Sequence, residues 1–215
     1  MFPFKSLLVI APHADDEVLG CGGLIARMRR LNLDVQILIV NPEHNTRIKE
    51  TLKASNILGV ENIIFGEPCP EGLDTIPQRK LIGFIEDAIE TFKPEAVAIP
   101  DLGAAHQDHR AVGLASISAC RPSGMTQHYR PPIILGWEEA ADAWAPRPMQ
   151  TPGLTITLDK SDIEAKIDAM LAHNSQVRSY PSERSVEAIE ALARVRGTQA
   201  GVEYGEAYNV LRWLV

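Results

Sequence analysis

Short apolar runs and longer segments of helical periodicity alternate along the chain. The runs are rich in Val and Ile, and in the segments between them apolar positions recur every three or four residues. This alternation is typical of repeated βαβ units around a parallel sheet, so the pattern predicts an α/β protein. Strands are predicted at 6–11, 33–40, 62–65, 96–100 and 154–158. Helices are predicted at 18–31, 45–58, 77–92, 109–119, 159–173 and 183–196.

The regular pattern weakens in two stretches, 121–132 and 138–153, which hold most of the later prolines. Trp137 and Trp144 lie beside or within them. Loops of this length in a compact domain are usually functional or mobile. We therefore expect irregular structure here.

Composition narrows the class of protein. A chain of 215 residues with 45% hydrophobic content is expected to form one domain, 1–215. A net charge of −7 without a basic run argues against nucleic-acid partners. Three dispersed cysteines predict neither a disulfide framework nor a thiolate zinc cluster. With no leader or membrane-spanning segment evident, a cytoplasmic enzyme is expected.

Chemistry-bearing residues follow two of the predicted strands. The segment 12–17, Pro-His-Ala-Asp-Asp-Glu, comes directly after the first strand, and 106–109, His-Gln-Asp-His, follows the fourth. Carboxyl ends of parallel strands share one edge of a sheet, where ligands and catalytic groups collect. Two imidazoles and a carboxylate suit a hydrolytic zinc ion that keeps an open position. The alternative is that these are solvated loop ion pairs and caps.

These two motifs resemble the paired signature of the PIG-L, or LmbE-like, zinc-dependent deacetylases. Further similarities extend over nearly the whole chain. They comprise Arg47-x-x-Glu50, His173-x-Ser175-Gln176, Arg196-Gly197 and 204–208, Tyr-Gly-Glu-Ala-Tyr. The resemblance implies a Rossmann-like three-layer fold, with a mainly parallel sheet flanked by helices. It also implies removal of N-acetyl groups from amino sugars and their conjugates.

The resemblance further implies a role for each motif residue. Asp15 would be the general base. His106, oriented by Asp108, would stabilise the oxyanion or act as acid, and whether His106 or Asp15 protonates the amine stays open. Zn²⁺ is the expected metal, another divalent ion being the alternative. Its ligands would be His13, Asp16 and His109.

Substrate contacts are less well defined by the sequence. Arg47 either faces the substrate or pairs with Glu50 on a helix surface. Trp137 and Trp144 either stack on a sugar face or pack in their loops. Tyr204 either borders the pocket or packs near a C-terminal strand. The segment 41–46 lacks the glycine-rich stretch of many relatives, and Ala14 replaces a frequent proline.

Two features beside the first motif have structural interpretations. Glu17 is expected to support the loop or the helix N-terminus rather than bind metal. Segment 20–23, Gly-Cys-Gly-Gly, does not have the spacing of a dinucleotide-binding loop, so close helix packing is expected instead.

The sequence thus predicts a zinc-dependent hydrolase of N-acetylated amino sugars, with a small-molecule partner and with homo-oligomers allowed. One rival is a zinc hydrolase of another N-acyl amide from natural-product or cell-envelope metabolism. A rival of a different class is an inactive, metal-containing sugar-binding protein. The presence of Asp15 argues against that rival, because a binding site needs no general base.

Overall fold

The structure, a computed structural model, describes residues 2–122, 128–141 and 152–214. Its strands form one seven-stranded sheet in the order β3-β2-β1-β4-β5-β7-β6. The strands β1 to β7 are Ser6–His13, Asp34–Asn41, Asn62–Phe65, Ala96–Pro100, Ile133–Trp137, Leu154–Leu158 and Tyr204–Trp213. The helices α1 to α6 are Asp16–Arg30, Asn45–Ile57, Gln78–Phe92, Gln107–Ala119, Lys160–Ala172 and Val186–Ala200.

The first five strands run parallel, and β7 is antiparallel to both β5 and β6. Successive residues of β1 point to opposite faces, as strand geometry requires. Leu7 and Val9 pack in one apolar core with side chains of α1, α5 and α6. Leu8 and Ile10 pack in a second core with side chains of α3 and α4. The predicted three-layer α/β fold is therefore confirmed.

Two strands of the sheet were not among those predicted. The run 133–137 is short, contains a glycine and lies beside prolines, so its pattern was not recognised as β5. The strand β7 begins with Gly205 and Glu206 among its buried residues. A buried carboxylate interrupts the alternation that would indicate a strand. The run 133–137 forms a strand because it pairs with β4 on one side and β7 on the other. In β7 the charge of Glu206 is paired with Lys166.

The glycines of α1 permit close packing, as the sequence predicted. A Cβ atom added at Gly20 would lie 2.5 Å from Cε3 of Trp137, and one at Gly22 would lie 2.8 Å from Cγ of Lys166. Neither distance is compatible with a real side chain, because protein interiors are close-packed. These glycines therefore let β5 and α5 approach the first helix.

A buried ion pair fastens the same region. Nζ of Lys166 donates to Oε1 of Glu206 at 2.6 Å and to the carbonyl of Leu19 at 2.8 Å. The Glu206 carboxylate also accepts the backbone N–H groups of Gly23 and Leu24. Because both charges are paired and hydrogen-bonded, their burial is tolerated. The pair joins α1, α5 and β7 behind the edge where β1 ends.

Within the described residues, no helix combines the length and apolarity needed to cross a membrane.

Candidate active site

The turn between β1 and α1 has a strained backbone. Asp15 has φ of 131°, a region that residues other than glycine rarely adopt. Its N–H donates to Oε2 of Glu17 at 2.9 Å, and Nε2 of His173 donates to Oε1 of Glu17 at 3.0 Å. Glu17 and His173 are both fully buried. The pair therefore fixes the turn, which confirms the loop-supporting role predicted for Glu17.

The three predicted metal ligands lie together at the carboxyl edge of the sheet. Oδ2 of Asp16 is 3.2 Å from Nδ1 of His13 and 3.2 Å from Nε2 of His109. One donor atom from each residue lies within 4.8 Å of the others. His13 ends β1, Asp16 begins α1, and His109 is in the first turn of α4 after β4. Parallel topology therefore brings together two motifs that are far apart in sequence.

The electrostatics of this set favour positive charge between the ligands. Burial raises the pKa of Asp16, but the facing His109 and His13 hold it well below its ordinary value. Burial lowers the pKa of His109, and the Asp16 carboxylate raises it by more, to about 9. Burial also lowers the pKa of His13, and its hydrogen bonds to Asp108 and Asp16 raise it by more, to about 10. The cluster is built to hold cationic groups against buried carboxylates.

Asp15 differs from Asp16 although the two are adjacent. Burial and the neighbouring Asp16 charge raise the pKa of Asp15 to about 7, against the lowering effect of Arg47 and Arg184. Nη2 of Arg47 donates to Oδ1 of Asp15 at 3.0 Å, whereas Nε of Arg184 is 3.8 Å from Oδ2. Among the described residues, Oδ2 has no hydrogen-bond partner. One oxygen is thus fixed and the other is available to a further donor.

Arg47 is a buried residue that is bound to Asp15. Its other guanidinium nitrogen pairs with Glu43 at 2.9 Å. Glu50 instead accepts the N–H and hydroxyl of Ser175 at 2.8 and 2.6 Å. The surface pairing of Arg47 with Glu50 considered from the sequence is therefore wrong. Arg47 holds the aspartate, and Glu50 ties α2 to the segment after α5.

The carboxylate of Asp108 contacts His13, not His106. Nε2 of His13 donates to Oδ2 of Asp108 at 2.9 Å, and Oδ1 of Asp108 accepts the N–H of Asp74. Burial raises the pKa of Asp108, and its bonds to His13 and the backbone lower it by more, to about 2. The expectation that this carboxylate orients His106 is corrected. The reason is geometric, since the first turn of α4 points the carboxylate back towards β1.

His106 is the exposed member of the cluster. As the N-cap of α4, its Nδ1 accepts the N–H of Asp108 at 3.2 Å. Its ring centroid lies 5.2 Å from that of His13 and 5.1 Å from that of His109. Burial and the two neighbouring histidine charges lower the pKa of His106. With His13 and Asp108 it forms a second set of donor atoms within 4.8 Å, at the outer side of the first.

Comparison with known proteins identifies the family of this chain. Residues 8–120 match the family described as PIG-L, GlcNAc-PI de-N-acetylase, which is more than half of the chain. The chain belongs to this family. The matched segment contains both histidine–aspartate motifs. The chain is also similar to the diacetylchitobiose deacetylase of Thermococcus kodakarensis, with 27% identity over 227 residues that cover 94% of this chain and 81% of that protein.

Solved structures share the PIG-L fold of this chain. The conserved protein TT1542 from Thermus thermophilus superposes with a TM-score of 0.79 at 25% identity, covering 99% of this chain and 96% of that one. GalB, a 4-carboxy-2-hydroxymuconate hydratase from Pseudomonas putida, has a TM-score of 0.78 at 18% identity, covering 98% of each chain. The second likeness concerns the fold alone. Function must therefore be argued from the side chains of the site.

The donor set of this PIG-L protein suits a zinc ion. Two imidazole nitrogens and one carboxylate oxygen, all from largely buried residues, are the ligand types that hydrolytic zinc sites use, and they leave a coordination position open. Asp15 lies next to this set and has a buried oxygen without a hydrogen-bond partner in the described residues. The residues therefore fit the metal that the family implies.

The predicted substrate residues have different surroundings. Trp137 is fully buried, and its Nε1 donates to the carbonyl of Ile10 at 3.3 Å. This burial agrees with packing and corrects the idea of a sugar-stacking ring. The hydroxyl of Tyr204 accepts a bond from Arg194 at 2.7 Å, so its contacts are within the α6–β7 region. Trp144 lies outside the described residues.

Two site residues were missed in the sequence. Arg184 is 36% exposed, and its Nη1 donates to Oε1 of Gln176 at 2.7 Å while its Nε faces Asp15. Oε1 of Glu139 lies 3.6 Å from Nδ1 of His109. Both residues are in irregular segments, where no periodicity marks a position as facing the site. The indirect signal for Arg184 was its nearness in sequence to Gln176, which belongs to the motif His173-x-Ser175-Gln176.

Proposed function

We propose that this PIG-L family protein is a zinc-dependent deacetylase of an N-acetylated amino sugar or amino-sugar conjugate. One observation carries the proposal. The buried donor set of His13, Asp16 and His109 lies beside Asp15, which has a strained backbone and a buried carboxylate with one oxygen that accepts no hydrogen bond from the described residues. A hydrolytic site needs both a cation and a nearby base.

His13, Asp16 and His109 would hold the zinc ion. When bound, zinc lowers the pKa of water towards about 7 and polarises an amide carbonyl. The carboxylate of Asp108 keeps the imidazole of His13 in one orientation through its 2.9 Å contact. These residues therefore supply a fixed anionic and imidazole framework for the cation.

Asp15 is the proposed general base. Its carboxylate takes a proton from the water that attacks the acetyl carbon. Arg47 fixes one carboxylate oxygen, and the N–H bond to Glu17 fixes the backbone, so the second oxygen needs little reorganisation. Pre-organisation of this kind lowers the entropic cost of proton transfer.

His106 is the proposed second electrophile. It is exposed at the outer side of the cluster and lies next to both ligand histidines. A donor in this place stabilises the negative oxygen that forms on the acetyl carbon. The departing amine takes its proton from His106 or from Asp15. Acetate and the free amino sugar are the products.

The sugar substrate is supported by similarity rather than by a contact. The relative from Thermococcus kodakarensis is named a diacetylchitobiose deacetylase, so an N-acetylated sugar is the proposed class here. A different N-acyl amide is the first rival. An inactive sugar-binding protein is the second, and Oδ2 of Asp15, which accepts no hydrogen bond from the described residues, favours an enzyme over it. We propose a single domain that acts on a small molecule, with assembly into homo-oligomers left to measurement.

Acetate release from a panel of N-acetylamino sugars and conjugates tests the proposal. The protein would be assayed as purified, after removal of metal with a chelator, and after addition of Zn²⁺. We expect release from at least one sugar, loss after chelation and recovery with zinc. Acetate release that survives complete metal removal contradicts the mechanism. Zinc binding without hydrolysis of any N-acyl compound favours the binding-protein alternative.

A further inference from the structure

Nδ1 of His109 is buried and lacks a hydrogen-bond partner among the described residues. The other nitrogen of the ring, Nε2, faces Asp16 and the proposed zinc position. Histidine ligands of metals usually donate from their second nitrogen to a carboxylate or carbonyl, which fixes the ring and its tautomer. For His13 that partner is Asp108.

The carboxylate of Glu139 occupies that side of the ring. Its Oε1 lies 3.6 Å from Nδ1 of His109, and the Glu139 side chain is 11% exposed. The distance exceeds that of a hydrogen bond but lies within the range of an ion pair.

The chain holds Glu139 in place through its two preceding residues. Trp137 ends β5, donates to the carbonyl of Ile10, and has its ring centroid 5.7 Å from that of His109. The carboxylate of Glu138 accepts two bonds from Arg196, at 2.5 and 2.6 Å. Trp137 and Glu139 therefore both lie beside His109, while Glu138 is bound to α6.

We infer that Glu139 is a positioning residue, which holds the imidazole of His109 for metal binding through its Nδ1–H. The inference rests on the metal site of the proposed function. Each histidine ligand then has a carboxylate partner of its own. Asp108 is the partner of His13. Glu139, which follows β5, is the partner of His109. Glu139 also contributes to the electrostatic environment of Arg184, which faces Asp15.

Zinc affinity of the variants Glu139→Gln and Glu139→Ala tests this role. Gln retains an acceptor oxygen but not the charge, whereas Ala removes both. Loss of such a partner typically weakens metal affinity about 10- to 100-fold, so we expect affinity to fall in the order wild type, Gln, Ala. Affinity would be measured by competition with a chromophoric chelator. Glu164→Ala, on the exposed face of α5 and paired with Lys160, is the matched control.

The visible spectrum of the Co²⁺-substituted protein gives a readout that a purely structural role would not change. Altered d–d bands in Glu139→Gln, with the Glu164→Ala spectrum like wild type, support the inference. Wild-type affinity and spectrum in folded Glu139→Gln overturn it. Should His109→Ala leave zinc affinity of the full chain unchanged, the proposed metal site itself is wrong. The His109→Ala measurement therefore distinguishes a failure of the proposed metal site from a failure of the role inferred for Glu139. Neither the affinity nor the spectrum depends on turnover.

Discussion

Nε2 of His13 lies 2.9 Å from Oδ2 of Asp108, while Nδ1 of the same ring lies 3.2 Å from Oδ2 of Asp16. The two nitrogens are therefore divided between two carboxylates. One carboxylate belongs to the proposed ligand set, and the other fixes the ring from behind. This division makes Asp108 a partner of His13, although the sequence places it only two residues after His106.

Replacement of Asp108 by Asn tests that assignment. The amide removes the charge behind His13, so we expect zinc affinity to fall about 10- to 100-fold. His106→Gln is the matched comparison, because His106 is outside the proposed ligand set and is expected to lower kcat while zinc affinity stays near wild type. Chelator competition and acetate release measure the two effects. Unchanged zinc affinity with reduced kcat in Asp108→Asn would show that Asp108 acts through His106 instead.

Asp15→Asn should separate catalysis from metal binding. Asn occupies nearly the same volume but cannot accept the proton of the attacking water. We expect kcat to fall about 10²- to 10⁴-fold, the usual contribution of a general base. Bound zinc, measured by atomic emission, should remain stoichiometric. Unchanged turnover would exclude Asp15 as the base, and loss of zinc would identify it as a ligand.

The proximity of His13, Asp16 and His109 could be predicted from the sequence because these residues lie in short motifs at strand ends. The positions of His13 and Asp16 follow from β1, and that of His109 follows from β4, since parallel strands end at one edge. The direction of a side chain within a turn does not follow from topology. For this reason the partner of Asp108 was wrongly predicted.

Residues that depend on tertiary contacts were harder to recognise. Glu206 interrupts the apolar pattern of β7, and it is tolerated there because Lys166 of α5 neutralises it. Trp137 looked like a loop aromatic because β5 is only five residues long. Arg184 and Glu139 have no periodic context at all. Such positions are determined by distant partners, which a local pattern does not contain.

The buried pair of His173 and Glu17 predicts a pH-dependent stability. Burial lowers the pKa of His173, but the Glu17 carboxylate raises it by more, so the folded-state pKa lies above the ordinary value of 6.5. Stability from this pair is fully present below the unfolded pKa and is lost as pH rises through the folded pKa. We therefore expect the pair to contribute more at pH 6 than at pH 9.

Urea unfolding of wild type and His173→Gln, both without metal, measures that contribution. The difference in free energy of unfolding between the two proteins should decrease from pH 6 to pH 9. Comparing the difference removes the titration of groups that both proteins share. A difference that stays constant or grows with pH would show that His173 is neutral in the folded state.

Two glycine substitutions of opposite sign test the packing of α1. In Gly20→Ala the new Cβ would lie 2.5 Å from the ring of Trp137, so overpacking should outweigh the better helix propensity of Ala and destabilise the protein by about 1–3 kcal/mol. Gly83 of α3 has open space at the same position. Gly83→Ala should therefore stabilise the protein by about 0.5–1 kcal/mol.

The pair is informative because chemistry and secondary structure are the same at both sites. Only the surroundings of the added methyl group differ. Free energies of unfolding from denaturant titration should thus move in opposite directions. Equal stabilisation by both substitutions would mean that Trp137 can move away from α1. Its ring would then be free to shift against His109, from which its centroid lies 5.7 Å, and β5 would give the proposed zinc site little support.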